Sequence, residues 1–274
     1  MSTLTATNPE RTAPERTTPA LTTPAQRMRA LARAELTLLL RSKGTLFAAL
    51  FVPFVIPVTM KQTATDMDLE GTGLDVGTVV LPAALGFSLL FAVYSALTAV
   101  YTARRDELVL KRLRTGELRD PEILAGAALP SVSIGVVQSL VLAVGCAVLL
   151  DAGAPGAPHF VVLGILMGLV MFTALAAVTA SFSRSTESAQ VMSLPLIFVS
   201  MLGSGLFVPL EVMPDKLASV CELLPLSSVI ELIRGGWAGN LSAGDAFGAL
   251  GTAVAWTLLA VFAVRRWFRW EPRH

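Results

Sequence analysis

Charge is scarce in this chain. Only 15% of its 274 residues are Asp, Glu, Lys or Arg, while 54% are hydrophobic; a soluble domain carries about a quarter charged residues. That shortage, with long uncharged runs and a mean hydropathy of +0.67, excludes an ordinary soluble domain and points to an integral membrane protein. Two cysteines, Cys146 and Cys221, are too few for a disulfide framework or a zinc site. Cys146 lies in an apolar run and reads as a small buried hydrophobe. His159 stands alone beside a loop, which suits a solvated residue better than a ligand. The net charge of +1 leaves no electrostatic footprint for nucleic acid. HExxH, GxSxG and GxxxxGK[ST] are all missing, so neither zinc hydrolysis, serine hydrolysis nor a phosphate-cradling loop is expected. No catalytic residue, metal ligand or cofactor is therefore assigned to the chain itself.

What is present is a series of apolar runs. Six of them, at 38–60, 77–102, 123–150, 160–182, 189–210 and 243–264, approach the ~20 helical residues that cross a hydrocarbon core. The first is interrupted by Pro53 and Pro57, which membrane helices tolerate where neighbours satisfy the freed carbonyl. The expected fold is all-α, a polytopic bundle of six transmembrane helices. If both termini face the cytosol, every Lys and Arg of the 21 except Lys61, Lys216 and Arg234 falls on the cytosolic side, as the positive-inside rule requires. The loop 61–76, with Asp66, Asp68, Glu70 and Asp75, then faces out. Residues 1–23, rich in Thr, Pro, Glu and Arg, read as a disordered cytosolic tail. The first apolar run begins late and has no short basic segment before it, so no secretory signal is expected.

No charged residue falls in the middle of any run. Such a residue usually marks an ion path or proton relay, so its absence argues against an ion-coupled transporter. The polar residues there are Ser88, Tyr94, Ser95, Thr98, Ser131, Ser133 and Gln138. Hydrogen bonding between helices accounts for them; a substrate path lined by Tyr94, Thr98, Ser131 and Gln138 is the alternative.

Function is then sought at the cytosolic surface. Residues 24–42 form the first device: Thr23 caps a helix with Pro24 at its first position. Met28, Leu31, Ala32, Leu36, Leu38 and Leu39 fill one face, and Arg27, Arg29, Arg33 and Arg41 the other, the pattern of an interfacial amphipathic helix. Glu35 falls on the apolar face, either as a snorkelling carboxylate or as an ion-pair partner of another cytosolic element.

The second device is RRDELVLKRLRTGELRDPEILAG, Arg104 to Gly126, where six basic and five acidic residues crowd a short connector. Asp106 to Arg114 reads as a short helix with Val109, Leu110 and Leu113 on one side, stopped by Thr115-Gly116. Asp120-Pro121-Glu122 supplies an N-cap and a first-turn proline for the next span. A solvated connector accounts for the mixed charge but not for the apolar stripe. Both signs of charge around a small apolar patch suit a protein docking face. Between the last two spans, Leu217, Val220, Cys221 and Leu224 form a one-sided pattern ended by Pro225. Ser228 and Glu231 then make a candidate capping box, and Gly235-Gly236 a stop. Helices of about ten residues, or ~15 Å, are too short to cross, so a re-entrant or surface-lying pair is expected over 211–239.

At this point a resemblance enters. KRLRTGELRDPEILAG, Lys111 to Gly126, is similar to the cytosolic loop of the type-2 ATP-binding-cassette permeases, the ABC-2 family, with Gly116 where proline is common and Ala127 where a basic residue often stands. GLFVPLEVMPDKLASVCELLPLSSVIELIRGGWAG, Gly205 to Gly239, resembles that family's signature after the fifth span. The resemblance implies a permease subunit of an ATP-driven exporter in a bacterial cytoplasmic membrane, moving a drug-like, antibiotic-like or lipid-like substrate outward. It implies two copies of a separate ATPase carrying ATP and Mg, and a second permease copy as homodimer or heterodimer. It also makes the loop 104–122 the coupling element, with Glu107, Leu110, Lys111, Arg112, Leu113 and Arg114 as contacts, and the outer pair re-entrant helices. Residues 38–264 would form the membrane domain and 265–274 a cytosolic tail. A stand-alone channel or secondary transporter is the rival reading.

Overall fold

The computed structural model describes residues 76–116, 118–150, 152–206 and 213–271, with isolated positions between 23 and 59. Among these residues every regular element is helical. The residues 1–22, most of the run 38–60, the loop 61–75, Arg27 and Glu35 lie outside the described residues, as do 207–212 and 272–274.

The bundle is organised around its first long helix. α1 (Val76–Ser88) continues through a π-helical segment, Leu89–Ser95, into α2 (Ala96–Asp106). With no charge before Arg104 this stretch can be buried on all sides, and 67% of its most apolar window is. Leu89, Leu90, Val93 and Tyr94 of the π segment are buried together. After the short helix α3 (Val109–Arg114) come α4 (Asp120–Leu149), α5 (Pro158–Phe182) and α6 (Thr186–Gly203). The chain ends with α7 (Asp215–Glu222), α8 (Pro225–Ala238) and α9 (Ala243–Trp267).

Among the described residues, four helices are long and apolar enough to cross a membrane: Gly77–Asp106, Asp120–Leu149, Pro158–Phe182 and Ala243–Trp267. They correspond to the second, third, fourth and sixth expected spans. α6 stands where the fifth was expected, but its 18 residues open with Thr186, Glu187, Ser188 and Gln190, which leaves its apolar stretch too short to join them. α4 and α9 are only 28% and 17% buried over their apolar windows. They turn Leu140, Val144, Leu258 and Phe262 outward, a ring of apolar side chains that water would penalise and lipid tails accept. The molecule is a multi-pass membrane protein.

Small residues set the helix spacing. On α5, Gly164 and Gly168 lie one turn apart, and a Cβ at Gly164 would sit 3.0 Å from Leu232 Cβ and 3.3 Å from the Val229 carbonyl oxygen. The GxxxG spacing lets the two backbones approach where no hydrophobic force drives helices together in lipid. The partner is α8, ten of whose 14 residues are buried. At ~21 Å it is too short to cross, and it is enclosed by α1, α5 and α9.

Two expectations for this region are corrected. α8 starts at Pro225, because proline is pre-organised for a first helical turn; the Ser228–Glu231 box is not made, and Ser228 Oγ donates to the Pro225 carbonyl at 2.9 Å. Nor does Gly235-Gly236 stop the helix. It runs to Ala238 and ends on Gly239 at φ 71°. The paired glycines instead admit neighbours: a Cβ on Gly236 would meet Val161 N and Phe160 Cβ, each at 2.9 Å.

Candidate functional site

Basic residues gather at one end of the bundle, where α2, α5 and α9 finish and α4 and α6 begin. α2 closes on Arg104, Arg105 and Asp106. The chain then reverses through Glu107 and Leu108, whose φ of 60° is the one positive value for a non-glycine among the described residues. A left-handed leucine costs roughly 1–2 kcal/mol. It persists because both sides of the turn are tied: Leu108 N–H donates to the Arg105 carbonyl at 2.9 Å, and Arg112 N–H to the Leu108 carbonyl at 3.0 Å. The expected helix from Asp106 is thus divided. Asp106 belongs to α2, and α3 begins at Val109, stopping as expected at Thr115-Gly116.

Arg105 was not among the residues singled out by sequence, yet it holds this end together. Its side chain is 1% exposed. Nη1 donates to the Ala180 carbonyl at 2.8 Å and Nη2 to the Ser183 carbonyl at 2.9 Å, with Asp106 Oδ1 3.2 Å from Nη2. Those carbonyls close α5, where four C=O groups lack helical partners and the helix dipole is negative. A buried guanidinium is tolerable only with such partners. One helical turn earlier, Tyr101 Oη donates to the Leu124 carbonyl at 3.1 Å. The foot of α2 is therefore fastened to the end of α5 and the start of α4. A sequence signal existed: Leu97, Tyr101 and Arg105 share one face at four-residue spacing, and all are buried.

α3 has an inner and an outer side. Leu110, expected as a docking contact, is completely buried in this chain's own core; it anchors α3, contributing about 1.5–3 kcal/mol. Leu113 is half-buried against the same core. Glu107, Leu108, Lys111, Arg112 and Arg114 are exposed. The C-terminal residues, read from sequence only as a tail, fold under this side. Lys111 Nζ lies 2.6 Å from Glu271 Oε1, Arg114 Nε 2.9 Å from Asp120 Oδ1, and the Arg114 guanidinium 4.9 Å from the centre of the Trp270 ring. The hydrogen bond from Lys111 holds the Glu271 carboxyl below its ordinary value. Arg112 is left free among the described residues. The expected N-cap also shifts: with Asp120 engaged by Arg114, Arg119 takes the cap position and its N–H donates to Glu122 Oε2 at 2.9 Å.

The other candidate residues lie apart from this site. Tyr94, Thr98, Ser131 and Gln138 are all buried between helices of the single chain. Tyr94 Oη and Thr179 Oγ1 are 2.9 Å apart, and Thr98 Oγ1 donates to the Tyr94 carbonyl at 2.8 Å, so these two act as contacts within and between helices. The Gln138 amide has no partner among the described residues. Near the amino terminus, Thr23 Oγ1 accepts from Gln26 N–H at 3.3 Å and Gln26 Oε1 from Thr23 N–H at 3.0 Å, a reciprocal capping box at the expected start. Arg29, Arg33 and Arg41 are helical and exposed.

Among the described residues the fold is all-helical and multi-pass, with a buried short helix near one end and a folded-back basic loop at the other. The model of the ABC-2 type transporter family matches residues 26–237, and the chain belongs to that family. It is similar to the linearmycin resistance permease protein LnrN of Bacillus subtilis (strain 168), 25% identical over 188 residues that cover 66% of this chain and 48% of LnrN. It is also similar to the putative transport permease YvfS of the same organism, 38% identical over 85 residues, 30% of this chain and 29% of YvfS. The matched region thus spans less than half the length of these curated relatives.

Proposed function

We propose that this chain is the non-catalytic permease subunit of an ATP-driven exporter. It has six spans, both ends in the cytosol of a bacterium, and a seat in the cytoplasmic membrane. The reading takes 38–60 and α6 as the first and fifth spans, residues 24–42 as an interfacial helix, and α7 and α8 as a re-entrant pair on the outer side. Two such permeases, alike or related, pair around a central path, and each rests on one of two ATPase subunits that carry ATP and Mg. The substrate is an apolar antibiotic-like or lipid-like molecule, a choice supported by the similarity to a linearmycin resistance permease and by spans without a charge at their centres.

The observation that carries the reading is the build of α3. Its inner residue Leu110 is locked to the bundle while Lys111 and Arg112 face outward, so a partner can grip one side and move the other. ATP-driven closure of the ATPase pair displaces α3 about the Leu108 turn. Arg105 passes the displacement to α5 and Tyr101 to α4, through the hydrogen bonds at Ala180, Ser183 and Leu124. A shift of packed rigid helices of this kind changes access from one side to the other. Tyr94 and Thr98, held inside one copy, steady the wall of the path rather than line it in this conformation, and Ser131 and Gln138 sit in the same wall.

Reconstitution of the full chain into liposomes, with and without its partner ATPase, tests the reading. Export is expected only with both proteins and Mg-ATP. Substrate movement by the chain alone would replace this function with that of a channel or secondary transporter.

A further inference from the structure

A cavity of about 530 Å3 opens at the basic end between α4, α5 and α9. Its wall changes character along its length. Toward the middle of the bundle it is aliphatic, and Val170 and Val261 there are exposed at the outer surface of their helices, so this part opens sideways toward lipid tails. Toward the end it is polar and basic: Arg114, Arg265 and Asp120 line it, and Trp270 closes it. Arg265 is exposed and has no ion-pair partner among the described residues, so the cavity keeps an excess positive charge. Arg266, Trp267 and Arg269 neighbour the lining residues Arg265, Phe268 and Trp270 in sequence, the aromatic and basic composition of a membrane–water interface.

We propose that this cavity holds one anionic phospholipid from the leaflet on the basic side, its phosphate between Arg114 and Arg265 and one acyl chain along Val170 and Val261. Basic pockets between helices on the cytoplasmic side are suited to anionic headgroups, and the aliphatic channel supplies a place for a tail that a free anion would not use. The basic wall is part of the region that fastens α3: Arg114 is bonded to Asp120 and stacked on Trp270. Occupancy therefore bears on the docking of the C-terminal tail as well. The inference is independent of the substrate and of the ATPase.

The test uses the full-length chain purified in detergent and stripped of lipid, with binding read by native mass spectrometry. The probes are phosphatidylglycerol and phosphatidylcholine with identical acyl chains. The wild type is expected to retain a single phosphatidylglycerol about tenfold more tightly than phosphatidylcholine. Arg265→Gln should remove that preference by weakening phosphatidylglycerol about tenfold. Val261→Trp, which fills the aliphatic channel and leaves the charges in place, should abolish the retained lipid; size-exclusion profiles matching the wild type show that each variant is folded. Equal binding of the two lipids, or normal phosphatidylglycerol binding by Val261→Trp, overturns the proposal. Displacement by millimolar inorganic phosphate would make it a free-anion site and overturn it equally. The absence of any lipid adduct would overturn it too, leaving the cavity to a segment of protein.

Discussion

The two ends of the bundle are held in opposite ways. At the end that carries α7 and α8, helices are joined by close backbone approach: Gly164 against Val229 and Leu232, Gly236 against Phe160 and Val161. Backbone bonds add to this, since Gly156 N–H donates to the Trp237 carbonyl at 3.1 Å and Ala157 N–H to the Gly236 carbonyl at 2.8 Å. Such contacts have little room to slide. At the basic end the attachments are long side chains reaching carbonyls, exposed ion pairs and one left-handed leucine. Exposed pairs are individually weak, and a strained turn stores rather than releases energy until its neighbours move. The difference teaches where motion can enter: a fixed end and an adjustable end, with the buried Arg105 tying α2 to α5 at the adjustable end.

Removing that tie should have the largest effect. Arg105→Ala strands the Ala180 and Ser183 carbonyls, each expected to cost about 1–3 kcal/mol; a lower thermal unfolding midpoint in detergent would register it. Arg105→Lys should recover only part, because one ammonium cannot reproduce the fork to Ala180 and Ser183. The rigid end comes next. Gly236→Val forces a side chain into the Val161 backbone, an overpacking expected to cost about 1–3 kcal/mol or more, measured the same way. Gly164→Ala should fall below it, because it adds a single methyl whose nearest neighbours, Leu232 Cβ and Ile233 Cγ1, stand at 3.0 Å.

Leu108→Gly sharpens the contrast more gently. Relief of the left-handed strain and the added freedom of glycine nearly cancel, so stability should change by about 1 kcal/mol at most. Coupling to a partner should weaken, because the turn would yield instead of transmitting. The smallest effect concerns the tail. The Glu271 carboxyl is depressed by the hydrogen bond from Lys111, so the bond's contribution is present above the ordinary carboxylate value and is lost as pH falls through the depressed one. Tail accessibility, followed by hydrogen exchange at residues 268–271, should rise only in that acid range. In Glu271→Gln it should be raised at neutral pH already and show no such step.

Much of this contrast was legible in the sequence, for identifiable reasons. Spans two, three, four and six declare themselves because uncharged runs end at charges, and the end of α3 is marked by Thr115-Gly116. The cap at Thr23 followed from Thr-Pro. What could not be read are facts of three-dimensional proximity. Arg105 looked like one of six loop cations until α5 ended beside it. Leu110 looked like part of an offered stripe because nothing local says which side of a short helix the bundle takes. Gly235-Gly236 looked like a stop because a sequence does not show that Phe160 and Val161 will press there. Trp270 and Glu271 lie more than 150 residues from their partners on α3, beyond any periodicity.

The central claim is that the outer side of α3 receives the force and the ties behind it transmit it. Stimulation of the partner ATPase by the reconstituted permease in the presence of substrate tests it most directly, with wild type compared with Lys111→Glu/Arg112→Glu. Both side chains are exposed, so the double variant should insert as the wild type does, with only the tail contact at Glu271 lost. The account predicts that stimulation and export fall together by about tenfold or more, as expected for like charges brought against a docking surface. Wild-type stimulation and export by a correctly inserted double variant would contradict it.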